Sequence, residues 1–284
     1  MSPANWCAKR SSWPASSTAD PPIPGGPLTT LHPTAIVDPG ARLADNVSVG
    51  PFSIVEKDVE IGEGTRIHGH CYIADGARIG RDVQIHNGSV VSSVPQDLKF
   101  AGEETVLEIG DRTVVREFCD LNRGTHERGS SRIGEDCFLM AYVHVAHDCW
   151  IGNKVILANA VQLAGHVTIE DRVSVGGMSP VHQFCRIGRH AFIGGGFRVV
   201  QDVPPYILAA GEPLTYKGLN IVGLRRRGFS QESIAALRRC YRFVYQSKLN
   251  TSQALDRIRN EMELTPEVSV VLEFIDKSER GVIR

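Results

Sequence analysis

A chain that sets an aliphatic side chain at every sixth position across more than half its length predicts a mainly-β fold. The expected form is a parallel β-helix of hexapeptide repeats wound in 18-residue coils, followed by a small α-helical domain. Three observations carry this. Stepping by six from Leu31 to Val199 visits 29 positions, and 26 of them are Leu, Ile or Val; the exceptions are Asp97, Glu103 and Glu127. The fourth residue after each step is usually Ala, Ser, Thr, Val or Cys, small enough for the inside of a narrow, close-packed prism. Beyond residue 204 the period of six gives way to apolar residues at helical spacing.

In chain order, residues 1–30 are rich in Pro, Ser and Ala and lack an apolar h-region, so they predict a disordered extension rather than a secretory signal. Residues 31–204 form the predicted β-helix, with Gly and Asp in turns such as "IGEGTR" and "IGRDVQ" at backbone angles that other residues avoid. Cys71, Cys119, Cys137, Cys149 and Cys185 fall on the small inward position and read as free core thiols. Two stretches, 92–108 and 122–132, lose the aliphatic step yet re-enter on the same count. The first contains "QDLKFAGE" and predicts a loop that touches substrate; the second, "NRGTHERGSSR", reads as a solvated bulge. Residues 205–284 predict helices: one capped by Ser230, one in "TSQALDRIRNEME", and one with Thr265 as cap and Pro266 in its first turn.

Charge excludes some functions. With 31 basic and 32 acidic residues, nothing draws the whole chain to nucleic acid or anionic lipid. No apolar run approaches the roughly 18 residues that would insert in a bilayer. Seven cysteines without a C-x-x-C pair suit a reducing compartment, so a cytoplasmic protein is expected. From Leu214 to Gln246 there are seven Lys or Arg against the single acid Glu232, which favours an acidic partner or a phosphate-bearing ligand.

A winding of three hexads to the coil also stacks side chains in columns. His147, in "AYVHVAHDCWIG", should lie below Gly165, which lies below Gln183; His166 should stand above Asp148, and His182 above Ala164. His144, His147, His166 and His182 then gather near one corner, most pointing outwards. Two chemistries and one bland reading remain open on these residues alone. In acyl transfer His147 is the base, Asp148 orients its ring and the unscreened Gly165 N–H receives an oxyanion. In a zinc site His144, His147 and His166 are the trial ligands, but no third ligand stands in the column of His147, so no metal is expected. The bland reading is a scaffold with idle surface histidines.

The strings "HVAHDC", "ILANAVQLAGHV", "GGMSPVHQFCRIG", "QDVPPY", "LNIVGLRRRGFS" and "RGVIR" resemble the acyl-carrier-protein:UDP-N-acetylglucosamine O-acyltransferases, from Leu31 to Arg284. The resemblance implies a homotrimer of left-handed β-helices with active sites between subunits. It implies transfer of a 3-hydroxyacyl group from acyl-carrier-protein thioester to the sugar 3-hydroxyl, the first step of lipid A synthesis. No cofactor is implied beyond the phosphopantetheine that arrives on the carrier protein. His147, Asp148 and Gly165 would be the catalytic groups. Gln96, Asp97 and Lys99 would hold sugar and acyl groups, and His144, His166 and Gln183 would line the sugar pocket. Asn220, Arg226 and Arg227 would contact the nucleotide and its phosphates, and Gly195 would set acyl length. Val222 departs from the family pattern, where Glu is common, and Pro213 stands where one relative has His. The alternatives are acyl transfer to the 3-amino sugar analogue, the later N-acyltransferase of the pathway and, more remotely, a zinc carbonic anhydrase of the same fold.

Overall fold

The computed structural model describes residues 29–284, so the expected extension over residues 1–30 lies almost wholly outside the described residues. Strands mostly two residues long form three sheets of eleven, eight and eight strands. The first sheet starts at Thr30–Leu31, the second at Ile36–Val37 and the third at Arg42–Leu43. Within the coils each strand pairs in parallel with the strand one coil away, as His144 does with Gln162 and Ile151 with Ile169. The three faces are joined by three corners: the first corner from first sheet to second, the second corner from second to third, and the third corner back to the first.

The six-residue step is the inward step. Ile73, Ile85, Leu121, Leu139, Leu157, Leu163 and Ile193 have no exposed surface. Burying one such side chain is worth about 1.5–3 kcal/mol, and a prism of this kind has no other source of core. The small position faces inwards as well: Cys149, Val155, Val161, Val167 and Cys185 are fully buried. All six cysteines among the described residues are buried free thiols. Desolvation pushes the thiols of Cys119 and Cys149 up to about 12, so they stay protonated and act as small hydrophobes.

Gly64 and Asp82 carry the unusual angles expected of their turns, at φ 71° and 52°, but many corners place other residues there. Phe52, Phe118, Tyr142, Asp148, His166 and Phe184 all sit at φ between 56° and 64°. A left-handed conformation costs a residue with a side chain about 1–2 kcal/mol. The coil ladder offsets it, because the corner amide donates to a carbonyl of the adjacent coil, as His166 N–H does to His147 O at 3.1 Å. The result is a row of exposed apolar side chains along the first corner, with Phe52, Phe118, Tyr142 and Met178 each more than half exposed.

Both interruptions leave the frame at the second corner. Val90 pairs with Asp120, and Asp120 in turn with His144, so both of these coils are longer than the regular one from His144 to Gln162.

The two ends of the prism differ. At the amino end Leu31 is 47% exposed and Ile36 65%. At the carboxyl end Ile207–Ala210 adds a last parallel strand to the first sheet, and Thr215–Leu219 folds back antiparallel on it. Four helices follow: α1 (Ile221–Arg226), α2 (Gln231–Tyr245), α3 (Thr251–Glu261) and α4 (Pro266–Asp276). Ser230 and Thr265 cap α2 and α4 as their sequence predicts, and Asn250 with Gln253 forms a capping box on α3. The helices seal the end. Tyr241 donates to Pro205 O at 2.6 Å, Arg186 stacks on Phe274, and the chain terminus returns to donate from Ile283 N–H to Asp202 O.

Candidate active site

The second corner assembles the site. His147 follows strand His144–Val145 of the second sheet, and Asp148 takes the left-handed corner position. That turn aims the carboxylate back at its neighbour's ring: His147 Nδ1 lies 2.9 Å from Asp148 Oδ2. Asp148 is wholly buried and His147 nearly so, at 13% side-chain exposure. Burial opposes ionisation of Asp148, but hydrogen bonds from His147 and Thr125 and the nearby His166 outweigh it, and the carboxyl is held below the ordinary range. With Nδ1 committed, Nε2 makes no hydrogen bond among the described residues and is the atom left for chemistry.

Gly165 stands one coil above, as its spacing predicts. A Cβ on it would lie 2.7 Å from His147 Cε1 and 2.8 Å from Nε2, so only glycine accommodates the imidazole in this position. Its N–H donates to nothing among the described residues, whereas the next amide, of His166, is tied to His147 O. An unused amide beside a free imidazole nitrogen is the pairing that a base and an oxyanion donor require.

His166 is not exposed: it is buried, stacked on Phe184 with centroids 4.6 Å apart. Its Nε2 lies 3.4 Å from Glu127 Oε2 and 3.7 Å from Asp148 Oδ2, and burial holds its basicity below the usual histidine value despite those two acids. His182 and Gln183 are exposed on the next coil. His144 lies on the strand entering the corner, with Nδ1 3.1 Å from Asp120 Oδ2. The Gln96 amide donates to that same Asp120 oxygen at 3.2 Å, which ties the 92–108 loop to the histidine row. Lys99 N–H donates to Asp97 Oδ1 within the loop.

The second interruption is not a solvated bulge. Thr125 is 3% exposed, its hydroxyl donates to Asp148 Oδ2 at 2.7 Å and its N–H to Oδ1 at 3.0 Å. Arg128 donates to Asp148 O at 2.8 Å and lies over the Trp150 ring. Thr125, Arg128 and Asp120 are site residues that sequence reasoning missed. Stacking by regular coils cannot find them, because the coils that hold them are longer.

The remaining expected contacts lie at other corners. Asn220 caps α1, accepting from Gly223 N–H and donating to His190 O at 3.0 Å. Arg227 donates to His190 Nδ1 at 3.3 Å. Asn220 and Arg227 therefore flank His190 at the third corner, with Arg226 the last residue of α1 between them. Gly195 is exposed on the first corner, beside Gly176 and Gly177.

His147, Asp148 and His166 also present one ligand atom each within 4.8 Å of one another. Two of those atoms already hydrogen-bond each other at 2.9 Å, and Asp148 Oδ2 additionally accepts from Thr125, which favours an imidazole–carboxylate pair over a cation cage.

Fold and site together define a hexapeptide-repeat acyltransferase. The bacterial transferase hexapeptide model matches residues 58–93 and 130–165, and a model described as UDP-N-acetylglucosamine O-acyltransferase, domain 2, matches residues 202–283. The acyl-[acyl-carrier-protein]–UDP-N-acetylglucosamine O-acyltransferase of Thiobacillus denitrificans is 45% identical over 258 residues, 90% of this chain and 100% of its own. The UDP-N-acetylglucosamine acyltransferase structure from Bacteroides fragilis superposes with a TM-score of 0.88 at 44% identity, covering 89% of this chain and 99% of that one. The UDP-N-acetylglucosamine O-acyltransferase structure from Moraxella catarrhalis gives 0.86 at 42%, with the same coverage. This chain belongs to the UDP-N-acetylglucosamine O-acyltransferase family. No helix among the described residues is long and apolar enough to cross a membrane.

Proposed function

We propose that this protein transfers a 3-hydroxyacyl group from acyl-carrier-protein thioester to the 3-hydroxyl of UDP-N-acetylglucosamine in the cytoplasm, the first step of lipid A synthesis. The observation that carries the mechanism is His147, with Nδ1 on Asp148 and its ring packed against Gly165, whose amide is unbonded among the described residues. Nε2 takes the sugar hydroxyl proton as its oxygen attacks the thioester carbonyl. The Gly165 N–H receives the developing oxyanion, and collapse expels the phosphopantetheine thiolate, which takes up the proton from His147. Such base catalysis is worth about 10²–10⁴-fold, and one oxyanion donor about 10²–10³-fold.

The reading includes a homotrimer. Asn220 and Arg227 flank the third corner while His147 occupies the second, so a nucleotide held by both would be shared between copies. The exposed apolar row of Phe52, Phe118, Tyr142 and Met178 supports such packing. Gln96, Asp97, Lys99, His144, His166 and Gln183 would hold the sugar and acyl groups, Arg226 and Arg227 the phosphates, and Gly195 would limit the acyl chain. The basic run from Leu214 to Gln246 suits an acidic carrier protein.

The test offers purified protein several 3-hydroxyacyl carrier-protein donors with UDP-N-acetylglucosamine or its 3-amino analogue and weighs the products. O-acylated sugar from the wild type, and at least a hundredfold less from His147→Ala, is expected. Near-normal turnover by His147→Ala would remove it as the base, and no turnover by the wild type would point to a scaffold. Loss of activity on chelation, restored by zinc, would point to metal chemistry.

A further inference from the structure

Resting on the reading just given, we infer that Thr125 is the positioning residue of the His147–Asp148 pair: it holds both oxygens of the buried carboxylate so that Oδ2 serves His147 rather than His166. The 122–132 segment leaves the prism at the second corner, folds across Asp148 and places Thr125 against it. Its N–H fixes Oδ1 at 3.0 Å and its hydroxyl fixes Oδ2 at 2.7 Å. Two points define the carboxylate plane.

That matters because Oδ2 has two imidazoles within reach. His147 Nδ1 is at 2.9 Å and His166 Nε2 at 3.7 Å. A carboxylate free to rotate about its Cβ–Cγ bond could turn towards His166, whose other acid, Glu127, sits on the exposed side of the same segment. His147 would then lose the acceptor that keeps its proton on Nδ1, and Nε2 would no longer be held as the basic nitrogen. Arg128 steadies the same turn through Asp148 O, so the segment grips backbone and side chain alike. Thr125 touches no reacting atom; it acts through Asp148.

The experiment compares steady-state kinetics of Thr125→Val, Thr125→Ser, Asp148→Ala, His147→Ala and the Thr125→Val/Asp148→Ala double variant. A hydrogen bond to a charged group is worth about 1.5–3 kcal/mol, so Thr125→Val should lower kcat about 10–100-fold, with KM for both substrates within about twofold of the parent value. Thr125→Ser restores the hydroxyl and should stay within about threefold of wild type. In the Asp148→Ala background Thr125→Val should cost nothing more, since the carboxylate it positions is gone.

Wild-type kcat in Thr125→Val beside an inactive His147→Ala overturns the positioning role alone, whereas full activity in His147→Ala overturns the base assignment beneath it. An equal loss in the Asp148→Ala background, or a serine variant as slow as the valine one, also overturns it by showing a merely structural effect. Should Thr125→Val not fold, Thr125→Ala keeps the backbone donor and reads the hydroxyl alone against the same criteria.

Discussion

Asp120 and His144 repeat, one strand earlier, the pairing that Asp148 makes with His147: a carboxylate oxygen 3.1 Å from an imidazole Nδ1. The pair differs in its connections. Asp120 also accepts from Ser93 Oγ at 2.7 Å and from Gln96, so its ring is linked to the loop expected to hold substrate. Burial opposes ionisation of Asp120, yet the His144 and Ser93 hydrogen bonds prevail and keep it charged. Asp120→Asn should leave the coil folded and raise KM for the sugar nucleotide about tenfold, with kcat changed less, as loss of one charged hydrogen bond implies. Initial rates across sugar-nucleotide concentration check this, and an unchanged KM would separate the loop from the sugar.

Gly165→Ala is a single added methyl group with a defined target. The new Cβ would lie 2.7 Å from His147 Cε1, so the ring must move off its Asp148 hydrogen bond while the Gly165 amide stays in place. Turnover should fall at least about thirtyfold with little change in thermal stability, since a misplacement of about 1 Å at a reacting group can cost about a hundredfold. Parallel activity and melting measurements distinguish this from unfolding.

His190 gives a pH dependence of stability. Burial first, and then Arg227, Arg172 and Arg189, lower its value to about 4 from an ordinary 6.5. The folded chain therefore resists a proton that the unfolded chain accepts. The associated stability is present in full above about 6.5 and is lost as pH falls towards about 4. Carried over whole, the displacement would be about 3 kcal/mol; screening of a half-buried ring reduces it to about 1–2 kcal/mol. Denaturant midpoints from pH 7 to pH 5 should fall, and His190→Gln should flatten that slope.

The separation of corners predicts complementation. His147→Ala and Arg227→Ala, each with little activity alone, should regain part of it when co-expressed or unfolded and refolded together. In the trimer proposed above, mixed assemblies would then contain clefts with both side chains intact. Recovery of activity against mixing ratio reads this directly, and no recovery would place both residues in a cleft built by one chain.

The prism was legible because its constraint is strictly periodic: a side chain six residues on must face the same axis, and 26 of the 29 stepped positions are Leu, Ile or Val. The His147–Gly165 column was legible for the same reason, since uninterrupted coils keep their register. Thr125 and Asp120 were not. They lie in the two lengthened coils, where column arithmetic fails and contact depends on how an irregular segment folds across a corner. The hairpin strand Thr215–Leu219 and the short helix α1 were hidden as well, their few residues too short to show a period. The burial of His166 was hidden because a turn position says nothing of the Phe184 ring that covers it.

The unequal ends of the prism give it a direction. Rungs that touch only their neighbours melt like a zipper, and the half-bare rung at Leu31 offers the front its easiest start. The strand bearing His144 is sixth of eight in its sheet, towards the sealed end. Warming should therefore peel away the outer rungs while the chemistry still runs, so that spectroscopic melting begins before activity is lost.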